Sequence, residues 1–269
     1  MIFKKRKKPE EGRDLDELAG RAAELIKRAR KVVVFTGAGV STESGIPDFR
    51  SPGGIWERVD PEDFTYQKFI SDPEARRRQW QLLWKDRLVS EVKPNPAHYA
   101  IAELHRMGKL DCVITQNVDS LHRRAGLPDD RIFELHGSMQ RVVCLQCHRR
   151  YTLENIRARL DAGEEVPDCE VCHGILKPDI VLFGEMLPED VFDRAADRAR
   201  ACDLCLVIGS TLIVYPAALI PIYAVDAGAR LVIINLSPTP MDEQADVVIR
   251  AKAGEAMSKI VDKLKAMNG

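Results

Sequence analysis

The sequence lacks any long apolar run and any strong excess of charge. No stretch approaches the roughly 18–20 apolar residues that a membrane-spanning helix needs, and no apolar region follows the basic residues near the start of the chain. Lysine and arginine number 40 against 41 aspartate and glutamate, which leaves a net charge of −1. The sequence therefore argues against a membrane protein and a globally basic nucleic-acid coat, and it predicts a cytoplasmic location.

Aromatic residues are few, and neither internal repeats nor low-complexity segments occur. Apolar residues make up 45% of the 269 positions and charged residues 30%, which are ordinary proportions for a folded globular protein. This length predicts one large domain, or one domain with a small insert, and a monomer is the default expectation. Residues 1–13 hold a run of basic side chains. We expect them to form a solvated tail, with contact to nucleic acid or acidic lipid as the alternative.

The seven cysteines are odd in number, which disfavours a complete disulfide framework. Four of them form two Cys-x-x-Cys pairs, Cys144 with Cys147 and Cys169 with Cys172. Four thiolates close a tetrahedral site with no open position, so this spacing predicts one structural Zn²⁺. Cys112, Cys202 and Cys205 are expected to be buried small hydrophobic residues. For Cys202 and Cys205 the reason is that residues three apart in an apolar strand point to opposite faces.

Short β-branched runs alternate with amphipathic segments along most of the chain. Strands are predicted at residues 31–35, 112–115, 204–208, 231–234 and 247–249. Helices are predicted at residues 14–30, 97–107, 188–200, 216–227 and 254–266. Alternating strands and helices predict an α/β fold, with a parallel sheet covered by helices on both faces. Residues 141–174 break this rhythm and form a candidate inserted module.

Small residues follow the first strand, in the sequence GAGVS at residues 37–41. Gly37 and Gly39 would let backbone N–H groups approach a pyrophosphate, and a following helix would add its dipole. Thr42 stands where an ordinary dehydrogenase has a third glycine, so that class is disfavoured. A tight strand-to-helix turn is the alternative interpretation of the loop.

A carboxylate, an aromatic ring and a guanidinium follow within ten residues, at Asp48, Phe49 and Arg50. Arginine suits the recognition of phosphate or carboxylate groups. The Pro/Gly-rich residues 51–54 that come next indicate a closing lid. The alternative is a surface loop with a local Asp48–Arg50 pair.

Polar residues also follow later strands, where ligands of open α/β sheets bind. The sequences are TQNVD at 115–119, GST at 209–211 and NL at 235–236. Because several strands end in polar residues, we expect these residues to form one shared ligand-binding site. His136 is a candidate general base, because imidazole titrates near neutral pH, although a lone histidine is more often structural.

These motifs occur together, and in this order, in the sirtuin family. They include GIPDFR at 45–50, HG at 136–137, the four cysteines and KPDIVLFGE at 177–185. The chain resembles the bacterial and archaeal protein deacetylases of that family over residues 15–265. Two departures from the family pattern are Thr211, which keeps a hydroxyl, and Leu182, beside the expected substrate segment.

The resemblance implies a Rossmann-like NAD-binding domain and a small zinc-binding, zinc-ribbon-like domain, with both substrates in the cleft between them. The domain boundaries that we expect are 14–54, 95–140 and 175–267 for the NAD-binding domain, 141–174 for the zinc module, 55–94 for a helical lid and 1–13 for the tail. The implied reaction is NAD-dependent deacetylation of protein lysine. It gives free lysine, nicotinamide and 2′-O-acetyl-ADP-ribose. Its partners would be acetyl-lysine proteins or peptides.

The resemblance also assigns residues to roles. His136 would be the general base, and Asn117 would assist it at the ribose. The residues implied at the NAD site are Gly37, Ala38, Ser41, Thr42, Ile46, Asp48, Phe49, Arg50, Gln116, Asn117, Val118, Asp119, His136, Gly209, Ser210, Thr211, Asn235 and Leu236. Those implied at the acyl-lysine peptide are Val181, Phe183, Gly184 and Val214. The metal ligands would be Cys144, Cys147, Cys169 and Cys172.

Acyl preference is expected to favour apolar groups. Relatives that take acidic acyl groups carry Tyr-x-x-Arg in the helix after the lid, and residues 80–83 read WQLL here. An apolar pocket would leave a succinyl carboxylate buried and unpaired, although Arg76, Arg77, Arg78 and Arg87 lie nearby in sequence.

Two other functions are compatible with parts of the sequence. The first is an NAD-dependent protein ADP-ribosyltransferase on the same scaffold, which would use the same NAD contacts. The second is a zinc-ribbon nucleic-acid-binding protein. The balanced charge disfavours the second function, as does the near absence of aromatic residues in the zinc module, which contains only Tyr151.

Overall fold

The computed structural model describes residues 14–85 and 92–267. The basic tail at residues 1–13 and Arg87 lie outside the described residues, so the expectations that involve them concern only the sequence. No helix in these two ranges combines the length and the apolarity needed to cross a bilayer.

The larger unit is a six-stranded parallel sheet. Its strands are β1 (Val32–Thr36), β2 (Leu110–Thr115), β3 (Ile132–Glu134), β7 (Leu204–Ile208), β8 (Arg230–Ile234) and β9 (Val247–Ile249). They are ordered β3-β2-β1-β7-β8-β9. The chain therefore leaves β1 in one direction and returns to its other side at β7. This reversal opens a crevice at the carboxyl ends of β1 and β7, the usual ligand position in such folds.

Helices cover both faces of this sheet, as the sequence predicts. The helices are α1 (Leu15–Arg28), α4 (Pro96–Arg106), α5 (Leu121–Arg124), α7 (Glu189–Arg200), α8 (Leu219–Asp226) and α9 (Ala253–Ala266). Val32 and Val34 pack into one core with α1, α4 and α9, whereas Val33 and Phe35 pack into the other with α7 and α8. Alternate residues of a strand face opposite sides, so a strand covered on both faces must be largely apolar, and β1 is apolar from Val32 to Phe35.

The smaller unit surrounds the cysteines. Its three-stranded antiparallel sheet contains β4 (Gly137–Cys144), β5 (Arg150–Thr152) and β6 (Leu176–Ile180), in the order β5-β4-β6. This sheet extends beyond the predicted 141–174 module at both ends. The helices beside it are α2 (Tyr66–Ser71), α3 (Pro73–Lys85) and α6 (Leu153–Asp161). The fold class predicted from the sequence, a Rossmann-like sheet with a small cysteine-bearing unit, is confirmed.

Strand β3 went unrecognised because one of its three residues is the charged Glu134, whereas the equally short β9, which was predicted, is apolar throughout. Cys112, Cys202 and Cys205 are buried as expected, but all three belong to one cluster. Cys202 and Cys205 therefore do not face opposite sides as predicted, because Cys202 lies before β7 begins and does not follow the strand's alternation.

Candidate functional site

The loop after β1 does not lead into an α-helix. Two short 3₁₀ turns, Ala38–Val40 and Thr42–Ser44, follow the strand. The helix dipole expected here is therefore absent from this loop. The glycines instead let two loops meet: a Cβ on Gly37 would lie 2.8 Å from the carbonyl oxygen of Gly209, and Gly209 itself has φ +64°. The expected phosphate loop and the GST segment thus form one surface.

Three polar side chains meet beneath this surface. Ser41 Oγ donates to Asp119 Oδ2 at 2.7 Å, and Asn117 Nδ2 donates to Ser41 Oγ at 3.1 Å and to the Gly37 carbonyl at 3.2 Å. Asp119 is buried, and its other oxygen accepts from the N–H of Leu121. Asp119 thus accepts hydrogen bonds from Ser41, in the loop after β1, and from Leu121, at the start of α5.

His136 lies directly after β3, half-buried beside the end of β2. Its Nδ1 lies 2.9 Å from the carbonyl oxygen of Gln116, which can only accept, so we assign the proton to Nδ1. Nε2 is then the basic nitrogen. Burial lowers the pKa of His136 and outweighs the opposing hydrogen bond to Gln116. The imidazole therefore stays neutral at physiological pH, as a base must.

The ends of β2, β7 and β8 converge on the same crevice. Gln116 Nε2 donates to Ser210 Oγ at 2.9 Å, and this bond joins two of the predicted polar strand ends. Asn235 is nearly buried, whereas Leu236 is exposed. Arg250 donates to the carbonyl oxygens of Asn235 and Ser237 and so fixes the loop after β8. Thr211 is partly exposed between these segments.

The segment after Gly45 forms a local turn. Asp48 Oδ1 accepts from the N–H groups of Arg50 and Ser51, and Oδ2 accepts from Ser51 Oγ. The carboxylate of Asp48 thus shapes this turn through backbone groups, with the side chain of Arg50 exposed. The Ile46 N–H donates to the Ser41 carbonyl, and Thr42 Oγ1 donates to the Gly39 carbonyl.

An aromatic cluster, which the sequence reasoning missed, joins the lid to the expected substrate segment. The ring of Trp56 lies 5.1 Å from Phe49, 5.6 Å from Phe64 and 5.8 Å from Phe183, measured between centroids. Three of these aromatics, Phe49, Trp56 and Phe64, lie in and around the Pro/Gly-rich stretch and were the available signal. Phe49 and Phe183 remain 41% and 46% exposed, so the cluster presents apolar surface to the crevice.

The expected substrate segment is anchored on two sides. The Val181 N–H donates to the His136 carbonyl at 2.9 Å. Phe183 exchanges backbone hydrogen bonds with Phe64 and Tyr66. Its main chain is therefore already paired within the protein, which leaves its ring to face a ligand. Gly184 has φ +84° and ends this extended stretch, while Val214 begins the turn that leads into α8 through Ala218.

Two buried histidines that the sequence reasoning also missed support the strand ends. His122 Nε2 lies 2.9 Å from Thr36 Oγ1, which donates to Thr115 Oγ1 at 2.8 Å. Thr115 Oγ1 in turn accepts from the Asn117 N–H. The ring of His98 lies 4.9 Å from that of His122. Burial lowers the pKa of His122 to about 4, so this chain of contacts is uncharged.

The four cysteines fit a zinc ion. Their Sγ atoms all lie within 4.8 Å of one another, with Cys144 and Cys172 separated by 3.4 Å and Cys147 and Cys169 by 3.6 Å. Four sulfurs about 2.3 Å from one zinc would lie about 3.8 Å apart. The φ angles of 59° and 57° at His148 and His173, which follow the second cysteine of each pair, indicate matching turns. Both histidines are exposed, as expected.

The stretch on which the acyl preference was predicted begins in the core of the smaller unit. Trp80 is 1% exposed and packs in the core of the smaller unit with Val142 and Ile156. The side chain of Trp80 therefore belongs to this core, and the acyl preference stays a prediction. Of the nearby arginines, Arg78 pairs with Asp63, Arg77 with Glu74, and Arg76 donates to backbone carbonyls of α2.

Comparison with known proteins agrees with this geometry. A model described as the Sir2 family matches residues 37–216. A relative named NAD-dependent protein deacetylase 1, from Pyrobaculum aerophilum, is 46% identical over 94% of this chain and 96% of its own.

Solved structures agree as well. One described as "Structural Basis for the Mechanism and Regulation of Sir2 Enzymes" superposes with TM-score 0.86 and 44% identity, covering 94% of this chain and 99% of that one. A complex of Sir2, a p53 peptide and NAD+ superposes with TM-score 0.82 and 36% identity, over 90% and 97%.

Proposed function

The chain belongs to the Sir2 family, and from that premise we propose that it deacetylates protein lysine side chains at the expense of NAD. One observation carries the proposal most directly. The imidazole of His136 bonds the end of β2, while its carbonyl bonds Val181 of the expected substrate segment. The base therefore lies between the side of the crevice suited to a nucleotide and the side suited to a peptide.

The donor set at the strand ends fits NAD. Hydroxyl, amide and carboxylate groups of Ser41, Asn117 and Asp119 form one hydrogen-bonded cluster, and the neighbouring Gln116 bonds Ser210. We assign Asp119 and the backbone near Ile46 to the nicotinamide carboxamide, and Gln116 and Asn117 to the ribose. On the adenosine side we assign the groups that follow β7 and β8. These are Gly209, Ser210, Thr211, Asn235 and Leu236.

Most of the other residues that we assign to NAD lie in the loop after β1 and in the turn that follows Gly45. Gly37, Ala38 and Thr42 would line the phosphates through backbone groups, and Arg50 is free to reach a phosphate from an exposed position. Asp48 would contribute to the NAD site by shaping the turn that carries Arg50. Val118 would contribute through its main chain, which is fixed because the Val118 carbonyl accepts from the Met139 N–H.

When bound, NAD supplies the ADP-ribose group that accepts the acyl group, with nicotinamide as the leaving group. Nε2 of His136 would then take the proton of a ribose hydroxyl, and the Gln116 carbonyl would hold the ring in the required tautomer. Asn117, fixed by Ser41 and Gly37, would orient that hydroxyl. The rings of Phe49 and Trp56 would exclude water from the reacting groups. One water molecule would be consumed after the ribose hydroxyl has taken the acyl group, and the products would be free lysine, nicotinamide and 2′-O-acetyl-ADP-ribose.

The acyl-lysine would enter from the side of Val181, Phe183, Gly184 and Val214. The exposed ring of Phe183 and the aromatic cluster behind it support an apolar acyl group. A succinyl carboxylate would need a cation there, and Arg76, Arg77 and Arg78 are engaged elsewhere. We therefore propose that acetyl and longer apolar acyl groups are preferred over succinyl and malonyl.

Mass spectrometry of an acetyl-lysine peptide, with and without NAD, tests this function. We expect NAD-dependent loss of the acetyl group, appearance of O-acetyl-ADP-ribose and loss of both in His136→Ala. The matched control is His105→Ala, which alters a surface histidine of α4 and should retain activity. An unchanged peptide with ADP-ribose attached to protein would instead establish the transferase alternative. Faster removal of succinyl than acetyl would contradict the acyl preference.

A further inference from the structure

The C-terminal helix α9 is capped by a residue from the other end of the chain. Its own N-cap residue, Lys252, makes no side-chain cap. Instead, Oε2 of Glu43 accepts a hydrogen bond of 2.6 Å from the N–H of Gly254. The first N–H groups of a helix lack partners within it and carry partial positive charge. A carboxylate at this position satisfies both needs.

Gly254 leaves room for this contact. A Cβ at Gly254 would lie 2.9 Å from Oε2 and 3.0 Å from Oε1 of Glu43. Glycine is unfavourable within a helix compared with alanine, so its presence in the first turn of α9 has a cost. The approach of the Glu43 carboxylate provides the physical reason for it.

Glu43 lies within the loop proposed to bind NAD. It is the middle residue of the 3₁₀ turn Thr42–Ser44, directly after Ser41 and Thr42. On the other side of the loop, Asn95 Nδ2 donates to the Val40 carbonyl at 2.7 Å and to Ser44 Oγ at 3.0 Å. Asn95 is itself the N-cap of α4. The loop is thus held between the N-termini of two helices.

The helix that Glu43 caps is a firm support. The side chains of Ala256, Met257 and Ile260 are fully buried in the core that α9 shares with α1 and α4. The loop has no regular helix of its own and depends on such external contacts for its shape. We propose that Glu43 is a positioning residue: by capping α9 it holds the loop in the conformation that binds NAD. The inference rests on the proposed function of that loop.

Two variants break the contact in different ways. Glu43→Ala removes the carboxylate, and Gly254→Ala displaces it while improving helix propensity. Both should raise the KM for NAD roughly fivefold, the scale of a lost helix cap, with kcat and the KM for acetyl peptide within about twofold of wild type. Glu43→Gln keeps an acceptor for the Gly254 N–H but loses the charge, so it should show a smaller effect.

Glu255→Ala is the matched control, since Glu255 is an exposed carboxylate in the same first turn of α9. It should leave the KM for NAD unchanged even if it lowers the stability of the helix. A KM for NAD in Glu43→Ala or Gly254→Ala that equals that of wild type would overturn the inference, and so would an equal rise in Glu255→Ala.

Hydrogen exchange separates failure of this inference from failure of the proposed function. The N–H groups of Ser44 and Gly45 donate within the loop, so their exchange reports its order without NAD. We expect exchange about fivefold faster in Glu43→Ala than in wild type or Glu255→Ala. Unchanged exchange would refute the positioning role, whereas faster exchange in a protein that never turns over NAD would refute only the proposed function.

Discussion

Nζ of Lys177 lies 3.1 Å from Oε2 of Glu185, and the same oxygen accepts a hydrogen bond of 2.8 Å from the N–H of Leu182. The lysine side chain is only 5% exposed, and it also donates to the carbonyls of Pro178 and Ile180. One buried ammonium group therefore joins both ends of the segment that contains Val181 and Phe183. This ion pair shapes the proposed acyl-lysine site without facing it.

Replacement of Lys177 by methionine should therefore act on both stability and the peptide. The variant leaves Glu185 partly buried without its cation, and we expect a loss of about 2–4 kcal/mol in the free energy of unfolding. The KM for acetyl peptide should rise more than the KM for NAD. Chemical denaturation and steady-state kinetics measure the two effects. The double variant Lys177→Met/Glu185→Gln should recover part of the stability; no recovery would argue against direct pairing.

The acid limb of the activity profile should report His136. Protonation of Nε2 abolishes its function as a base, and burial lowers the pKa of His136, so the midpoint of the acid limb of kcat/KM should lie below about pH 6.5, the ordinary value for histidine. The profile should be flat from about pH 7 to 8. His136→Asn should reduce kcat by about 10²–10⁴. An acid limb centred above pH 7 would contradict the proposed role.

Stability in mild acid should depend on the buried histidines. Burial lowers the pKa of His122 to about 4. Burial also lowers the pKa of His98 well below its usual range, and the neighbouring His122 lowers it further. The unfolded chain therefore binds more protons below about pH 6.5, and stability falls with pH from there towards the folded pKa values. Each histidine should contribute about 2 kcal/mol to the loss between pH 7.5 and 5.0.

Urea unfolding at the two pH values measures this loss. His122→Asn should lower the stability at pH 7.5 but reduce the difference between pH 7.5 and 5.0. His105→Asn, a change on the surface of α4, should leave that difference as in wild type. An identical pH dependence in His122→Asn would show that acid destabilisation arises elsewhere.

Zinc content should follow the four clustered cysteines alone. We expect one zinc per chain by elemental analysis, and its removal by a chelator should lower the thermal midpoint, because the ion joins the two turns of the smaller unit. Cys172→Ala should lose the metal. Cys205→Ala, at a buried cysteine of the larger core, should keep it. Retention of a full zinc equivalent in Cys172→Ala would exclude the four-thiolate site.

The sequence by itself determined the features that depend on residues close together along the chain. Five strands could be predicted because a strand covered on both faces must be apolar where it is buried, as in all of β7 and in β8 from Leu231 to Ile234. The two Cys-x-x-Cys pairs predicted the metal cluster, because each pair forms one turn whose geometry depends on adjacent residues. The crevice followed from polar residues at strand ends, since parallel strands align their carboxyl ends. The resemblance to a known family supplied the individual roles.

Contacts between distant segments were decided only by the tertiary structure. No local sequence pattern indicates that Glu43 caps the helix that begins at Ala253. The same holds for the place of Trp80 in the core of the smaller unit and for the contact between His98 and His122. Side-chain partners far apart in sequence are set by how crossovers place whole elements. Periodicity and propensity describe a residue's immediate neighbours along the chain, so they indicate which side chains are buried and not which ones they meet.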